Sequence, residues 1–185
     1  ILVAAGRQPD IAGLGLEAAG IAATADGITV DARLRSTNSR VYVVGDAAGG
    51  AQFTHLAGHQ AGIVIRNALF RIPSRADGKA VPRVTYTEPE LASVGLTEQA
   101  ARRLGEVRIL RWPMAENDRA RAERQDSGLV KIVTDRKGRV LGAHILAAHA
   151  GDLVLPWILA VDRRLKLGDL ATVIAPYPTL SEASK

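Results

Sequence analysis

The chain has 185 residues, 47% of them hydrophobic and 23% charged, a balance that suits one or two packed domains and excludes disorder and collagen-like structure. Lys and Arg outnumber Asp and Glu by 24 to 19, yet only 4% of residues are aromatic, so the interleaved rings of a strand-binding surface are missing and no nucleic-acid partner is expected. There is no cysteine, which places any disulfide or thiolate chemistry outside these residues, and the longest apolar stretch, near Leu153 to Val161, is far too short for a bilayer, so no membrane contact is expected.

The chain opens without Met or a signal-peptide pattern, directly on Ile1-Leu2-Val3-Ala4-Ala5, and reads as the interior of a longer cytoplasmic protein. That apolar run, closed by Gly6-Arg7-Gln8-Pro9-Asp10, has the pattern of a buried strand ending in a turn. Ile28, Val30, Ala32 and Leu34 alternate with polar residues, as on a half-buried strand or hairpin arm. Val41-Tyr42-Val43-Val44 is continuously apolar, the mark of a strand covered on both faces in a parallel sheet flanked by helices. From Thr54 to Phe70 the spacing of Leu56, Ala57, Ala61, Val64 and Ala68 predicts a helix, whose small residues Ala57, Gly58, Ala61 and Gly62 allow a close approach. The polar stretch Arg71 to Val81 marks a boundary between domains at 1–76 and 77–185.

The second domain reads as α+β, an antiparallel sheet with helices. Arg83 to Thr87 and Ala92 to Leu96 are strand pieces, and Thr97 caps a helix running to about Leu104. Val107 to Trp112 is a strand, and Asn117 to Glu123 a solvated charged loop or single helical turn. Gly128 to Asp135 and Arg139 to Leu146 form a hairpin about Arg136-Lys137-Gly138. Asp152 is placed to cap a helix reaching Leu165 with Pro156 at its fourth position, and Gly168-Asp169 starts a short helix.

Among chemistry-bearing residues, Gly45-Asp46 follows a strand with a backbone that a ligand can approach and a carboxylate that accepts hydrogen bonds, as ribose or ribityl hydroxyls require. The same dipeptide also suits a plain turn in which Asp caps the next helix. His55 and His59 share a helical face, but with no third ligand in the pattern no metal site is expected. Trp112 and Trp157 are candidate anchors of a core or an interface, and His144 and His149 are candidates for packing.

The run Thr37 to Asp46 resembles the second FAD fingerprint of the pyridine nucleotide-disulfide oxidoreductases, the family of dihydrolipoamide dehydrogenase, glutathione reductase and mercuric reductase. Ala4-Ala5-Gly6-Arg7-Gln8-Pro9, Thr54-His55-Leu56-Ala57, Tyr86 to Glu98 and Tyr177-Pro178-Thr179-Leu180-Ser181-Glu182 resemble further motifs of that family in the same order. The resemblance implies the end of a Rossmann-like α/β FAD-binding domain followed by a dimerisation domain, in an enzyme using FAD and NAD(P)H and working as a homodimer through residues 77–185. It implies that Gly45 and Asp46 receive the ribityl chain and that Thr54, His55, Leu56 and Ala57 face the flavin. It also assigns catalytic positions to Tyr177 and Glu182. Several branches carry His where Tyr177 stands; a phenol is a poor proton acceptor near neutrality, so metal or substrate contact replaces thiol acid-base work at this position. A reading of another class makes the chain an assembly module without catalysis of its own, with 1–76 as an orphaned half-domain. The flavoprotein reading expects no turnover from these residues alone.

Overall fold

The computed structural model describes residues 1–76, 78 and 80–184 and divides the chain into two compact units, Ile1–Asp77 and Gly78–Lys185.

In the first unit, β1 (Ala23–Thr24) and β2 (Gly27–Ile28) form an antiparallel hairpin. Beyond it Asp31 turns the chain, its Oδ1 accepting the backbone N–H groups of Arg33 and Arg35 at 2.8 and 3.0 Å. The alternating arm expected from Ile28 to Leu34 therefore ends early: the residues after β2 make only an isolated bridge, Val30 to Ser36, and Leu34 is buried at a positive φ of 64°. Thr37 latches two loops, donating its hydroxyl to Gly20 O at 2.8 Å and accepting from Ala22 N at 2.9 Å. Ile21, Ile28 and Val43 form a small core, with Ile11, Leu16, Val30 and Val41 against it.

Two expected strands of this unit do not form among the described residues. Ile1, Leu2 and Val3 are almost wholly exposed and unpaired in any sheet, because an apolar run becomes a strand only beside another strand. Val41 to Val44 meets the core on one side: Val43 is buried, Val44 is exposed, and the ladder is reduced to a bridge between Tyr42 and Arg35. A 3-10 turn, Gly45–Ala48, follows, and then α1 (Thr54–Ala68).

The second unit is α+β. Its five-stranded antiparallel sheet has the order β3 (Arg83–Thr85), β4 (Glu90–Gly95), β7 (Val140–Ala147), β6 (Leu129–Asp135), β5 (Val107–Pro113). The expected hairpin joins β6 to β7, with Asp135 Oδ1 accepting from Lys137 N and Arg139 N at 2.8 and 2.9 Å. Period-two alternation puts Ala92 and Val94, Ala143 and Ile145, Val130 and Ile132 side by side on one buried face. Burying each Val or Ile of this face contributes about 1.5–3 kcal/mol, so the face supplies much of the unit's stability. It is covered by α4 (Ala150–Leu153) and α5 (Leu155–Asp162), with Trp157 and Ala160 turned inward. The single expected helix from Asp152 is thus two helices. Pro156 lies in the first turn of α5, where its missing N–H costs nothing, whereas deeper in a continuous helix it would clash with the preceding turn. Met114, in a 3-10 turn after β5, is fully buried and donates its N–H to Gly128 O at 3.0 Å. Two further elements are short: α3 (Asp118–Ala122) and α6 (Leu167–Ala171), the latter begun by Asp169 Oδ2 accepting from Lys166 N at 2.8 Å.

Thr97 caps α2 (Glu98–Arg102), its Oγ1 accepting from Ala100 N at 3.2 Å, though the helix stops short of Leu104. Glu98 then ties α2 to the sheet, reaching Lys131 at 2.7 Å, Arg102 at 2.8 Å and Arg111 at 3.5 Å. The hydrogen bond from Lys131 and then that from Arg102 hold its carboxyl down to about 2 from an ordinary 4.5. Because the folded value is the lower one, this network contributes fully above pH 4.5 and is lost as pH falls through about 2. Acid titration of denaturant midpoints should show a steeper loss for the parent than for Glu98→Gln across this window; parallel curves would remove Glu98 from the account.

Candidate functional site

Each unit carries one group of the residues singled out by sequence. In the first, Gly45 takes a positive φ of 67°, and a Cβ there would lie 3.0 Å from Ala57 Cβ, so glycine is required both by the turn and by the approach of α1. Gly45 is buried, and its N–H is held by Gln60 Oε1 at 2.7 Å. Gln60, on the α1 face that also buries Ile63, thereby fixes where the next residue points. That residue, Asp46, is exposed, and its carboxylate makes no hydrogen bond or ion pair among the described residues.

The turn is backed by the β1–β2 hairpin at backbone contact distance. A Cβ on Gly27 would sit 2.7 Å from Gly49 N and 2.8 Å from Ala47 O. Helix α1 begins after Phe53 without a side-chain cap and with no acidic residue in its first turn, which leaves a positive helix end with N–H groups available to an acceptor. Thr54 and His55 are exposed there, Leu56 and Ala57 half-buried, and the Phe53 and His55 rings stack at 5.1 Å. The expected close approach along α1 is met at Ala57. At Gly58 and Gly62 a Cβ would touch nothing within 4 Å.

FAD, named by the sequence resemblance, can be tested against this geometry. An unpartnered carboxylate on a turn that only glycine can make, next to an uncapped helix end, suits a ligand with several hydroxyls and a ring that gains negative charge. Gly45, Asp46 and the first turn of α1 fit such a group. His55 and His59 are both exposed, and among the described residues no cluster of three or more His, Asp or Glu could hold a metal ion.

In the second unit the closing segment is held from several sides. Asn117 is buried; its Oδ1 caps α3 by accepting from Ala120 N at 2.9 Å, and its Nδ2 donates to Thr179 O at 3.1 Å. Of the two readings at 117–123, a solvated charged loop or a single helical turn, the structure has the short helix, with its N-cap residue buried. An Asn standing before Asp118-Arg119-Ala120-Arg121-Ala122 is a legible N-cap signal, whereas its second bond, 62 residues away, has no local signature. Trp157 Nε1 donates to Ser184 Oγ at 3.0 Å and anchors the end of the segment, while Trp112 is half exposed at the sheet edge. Thr179 donates its hydroxyl to Pro176 O and meets Ser181 Oγ, each at 2.7 Å.

Two residues before the Thr179 anchor, Tyr177 stands exposed and donates its phenol O–H to Asp118 Oδ2 at 2.9 Å. That bond, the Asp118 charge and then Glu182 hold its pKa above the ordinary tyrosine value, so the phenol stays protonated at neutral pH. Glu182 is half-buried, and its carboxylate has no hydrogen bond or ion pair among the described residues. His144, in β7, meets Leu96 O at 3.2 Å, and burial pushes its pKa down, a packing role like the one expected.

The chain is similar to known proteins along its whole length. Residues 81–185 match the model of the pyridine nucleotide-disulphide oxidoreductase dimerisation domain, and residues 1–61 match the pyridine nucleotide-disulphide oxidoreductase model. The whole chain is 41% identical to part of a mercuric reductase of Bacillus cereus, covering 30% of it, and 35% identical to part of a dihydrolipoyl dehydrogenase of Rhizobium etli, covering 39% of it. A solved structure, the HOCl-induced flavoprotein disulfide reductase RclA from Escherichia coli, superposes with a TM-score of 0.91 at 33% identity, over 98% of this chain and 42% of that one.

Replacing Asn117 by Ala removes a helix cap and leaves Thr179 O without its partner. Urea denaturation should register a loss of about 2 kcal/mol, and a loss below a few tenths would show that Asn117 does not hold the closing segment.

Proposed function

The chain belongs to the pyridine nucleotide-disulphide oxidoreductase family, and from that premise we propose that it supplies flavin contacts and a homodimer interface to an FAD-dependent NAD(P)H oxidoreductase. The observation that carries this reading is Asp46, a carboxylate without a partner held in place by Gln60, Gly45 and α1. FAD, when bound, supplies a ring that takes a hydride from NAD(P)H and passes the electrons to an acceptor. Asp46 accepts hydrogen bonds from the hydroxyls of its sugar-alcohol arm, and Gly45 lets that arm reach the backbone. The N–H groups at Thr54 and Leu56, in the same first turn as His55 and Ala57, present the positive end of α1 to charge developing on the ring.

Tyr177 and Glu182 face the acceptor in this reading. A protonated phenol cannot take a proton as an imidazole would, so Tyr177 binds and orients instead, and Glu182 adds negative charge beside it. A disulfide or a metal ion is the class of acceptor that the names of the similar proteins suggest. No helix of the described residues is long and apolar enough to cross a membrane, and a cytoplasmic location, where NAD(P)H is supplied, goes with this reading.

The partner is a second copy. Helix α5 is apolar on both sides: Trp157 and Ala160 enter the core, while Leu155 and Leu159, one turn apart, are 67% and 53% exposed. A helix hydrophobic all round is a buried helix, and the outward stripe is what a partner subunit would cover. Ile174, three residues before Tyr177, is a further apolar side chain left 94% exposed.

Two measurements test these assignments in the full-length flavoprotein. Asp46→Ala should lose most of the flavin absorbance per subunit after gel filtration while remaining folded by circular dichroism; undiminished retention would remove Asp46 from the flavin site. The double substitution Leu155→Glu and Leu159→Glu should shift light-scattering mass from dimer to monomer, and a dimer of parental strength would place the interface elsewhere.

A further inference from the structure

The Tyr177 hydroxyl has one hydrogen and two lone pairs, and the hydrogen is committed to Asp118 Oδ2 at 2.9 Å. Asp118 adjoins the buried Asn117, whose amide grips Thr179 O two residues beyond Tyr177. Consecutive residues at the start of α3 thus hold the closing segment by its backbone and by its one exposed ring. A tyrosine 69% exposed would otherwise sample several rotamers, so a fixed acceptor for its O–H narrows where the oxygen lies.

From this geometry we infer that Asp118 is a positioning residue for Tyr177, one that orients the phenol and consumes its hydrogen so that the oxygen meets the acceptor with lone pairs only. The inference rests on the reading of Tyr177 as the acceptor-facing residue. Its chemical consequence is a preference of the Tyr177 oxygen for a cation or a hydrogen-bond donor over an anion, because another carboxylate or phosphate would find no proton to accept. The charged groups that act on the phenol agree in sign, Asp118 from α3 and Glu182 from the closing turn, and both disfavour its ionisation. A role confined to helix α3, where an acidic residue in the first turn complements the helix end, would affect stability and leave the phenol untouched.

The experiment uses the full-length flavoprotein and ultraviolet difference titration of tyrosinate. The parent minus Tyr177→Phe isolates Tyr177 from every other chromophore, and Asp118→Asn minus the Asp118→Asn, Tyr177→Phe double variant does the same without the charge. The Tyr177 phenolate should appear at lower pH once Asp118 is Asn and return toward the parental position in Asp118→Glu. Unchanged titration in Asp118→Asn overturns the proposal. In turnover with a metal cation as acceptor, Asp118→Asn should lower kcat/KM roughly two- to fivefold, the scale of one exposed charged contact. That loss should vanish when Tyr177 is already Phe. An equal loss in both backgrounds means that Asp118 acts by another route and also overturns the proposal. Full activity of Tyr177→Phe would instead defeat the acceptor-facing reading of Tyr177, and the titration would still decide whether Asp118 governs the phenol.

Discussion

The amide of Asn117 answers two needs with one buried side chain. Its oxygen satisfies a backbone donor at the start of α3, and its nitrogen satisfies a carbonyl of the closing segment. An amide is the side chain suited to this, because it carries an acceptor and a donor on the same rigid plane, where a carboxylate could serve only the first need. The place of Tyr177 depends on it: the segment is pinned at Thr179 by Asn117 and at Ser184 by Trp157, and two residues before the first pin the ring reaches Asp118. Leaving either partner unsatisfied in a buried setting costs more than the bond returns in water, so the arrangement behaves as a unit.

The first unit solves the same problem with another amide. Gln60 reaches from α1 to the N–H of Gly45, and the glycine-to-glycine approach of hairpin and turn closes the other side. In both units a candidate site residue, Asp46 or Tyr177, lies outside α-helix and strand, and a nearby side-chain amide takes the place of the ladder that a strand would have provided. Such loops can be well placed without being regular, provided each buried donor and acceptor has an address.

What was legible in the sequence was whatever is decided locally. Thr97 caps the next helix, Arg136-Lys137-Gly138 turns a hairpin, and the helix after Phe53 begins where small and apolar residues take up its period. The motifs from Tyr86 to Glu98 and from Tyr177 to Glu182 carried the family resemblance, and the family matches over residues 1–61 and 81–185 agree with it. The runs Ile1 to Ala5 and Val41 to Val44 misled because apolar continuity says that a segment can be covered, not that the covering strands are at hand. Gln60 was hidden for a different reason. It sits among Ala and Gly on a helix, and its value appears only when a turn fifteen positions earlier folds against it. Asp118 looked like one charge in a charged loop, and its meaning depends on a tyrosine 59 residues later.

The place of Met114 has a consequence for durability. It is the chain's one sulfur atom, since there is no cysteine, and it lies fully enclosed beside the sheet. Peroxides and hypohalous acids attack thioethers and thiols before other side chains, and conversion to a sulfoxide would force a polar group into that enclosure. Within these residues such damage has to wait for the core to open. Its pace then depends on how often the core opens as well as on the oxidant, so burial slows it relative to an exposed thioether.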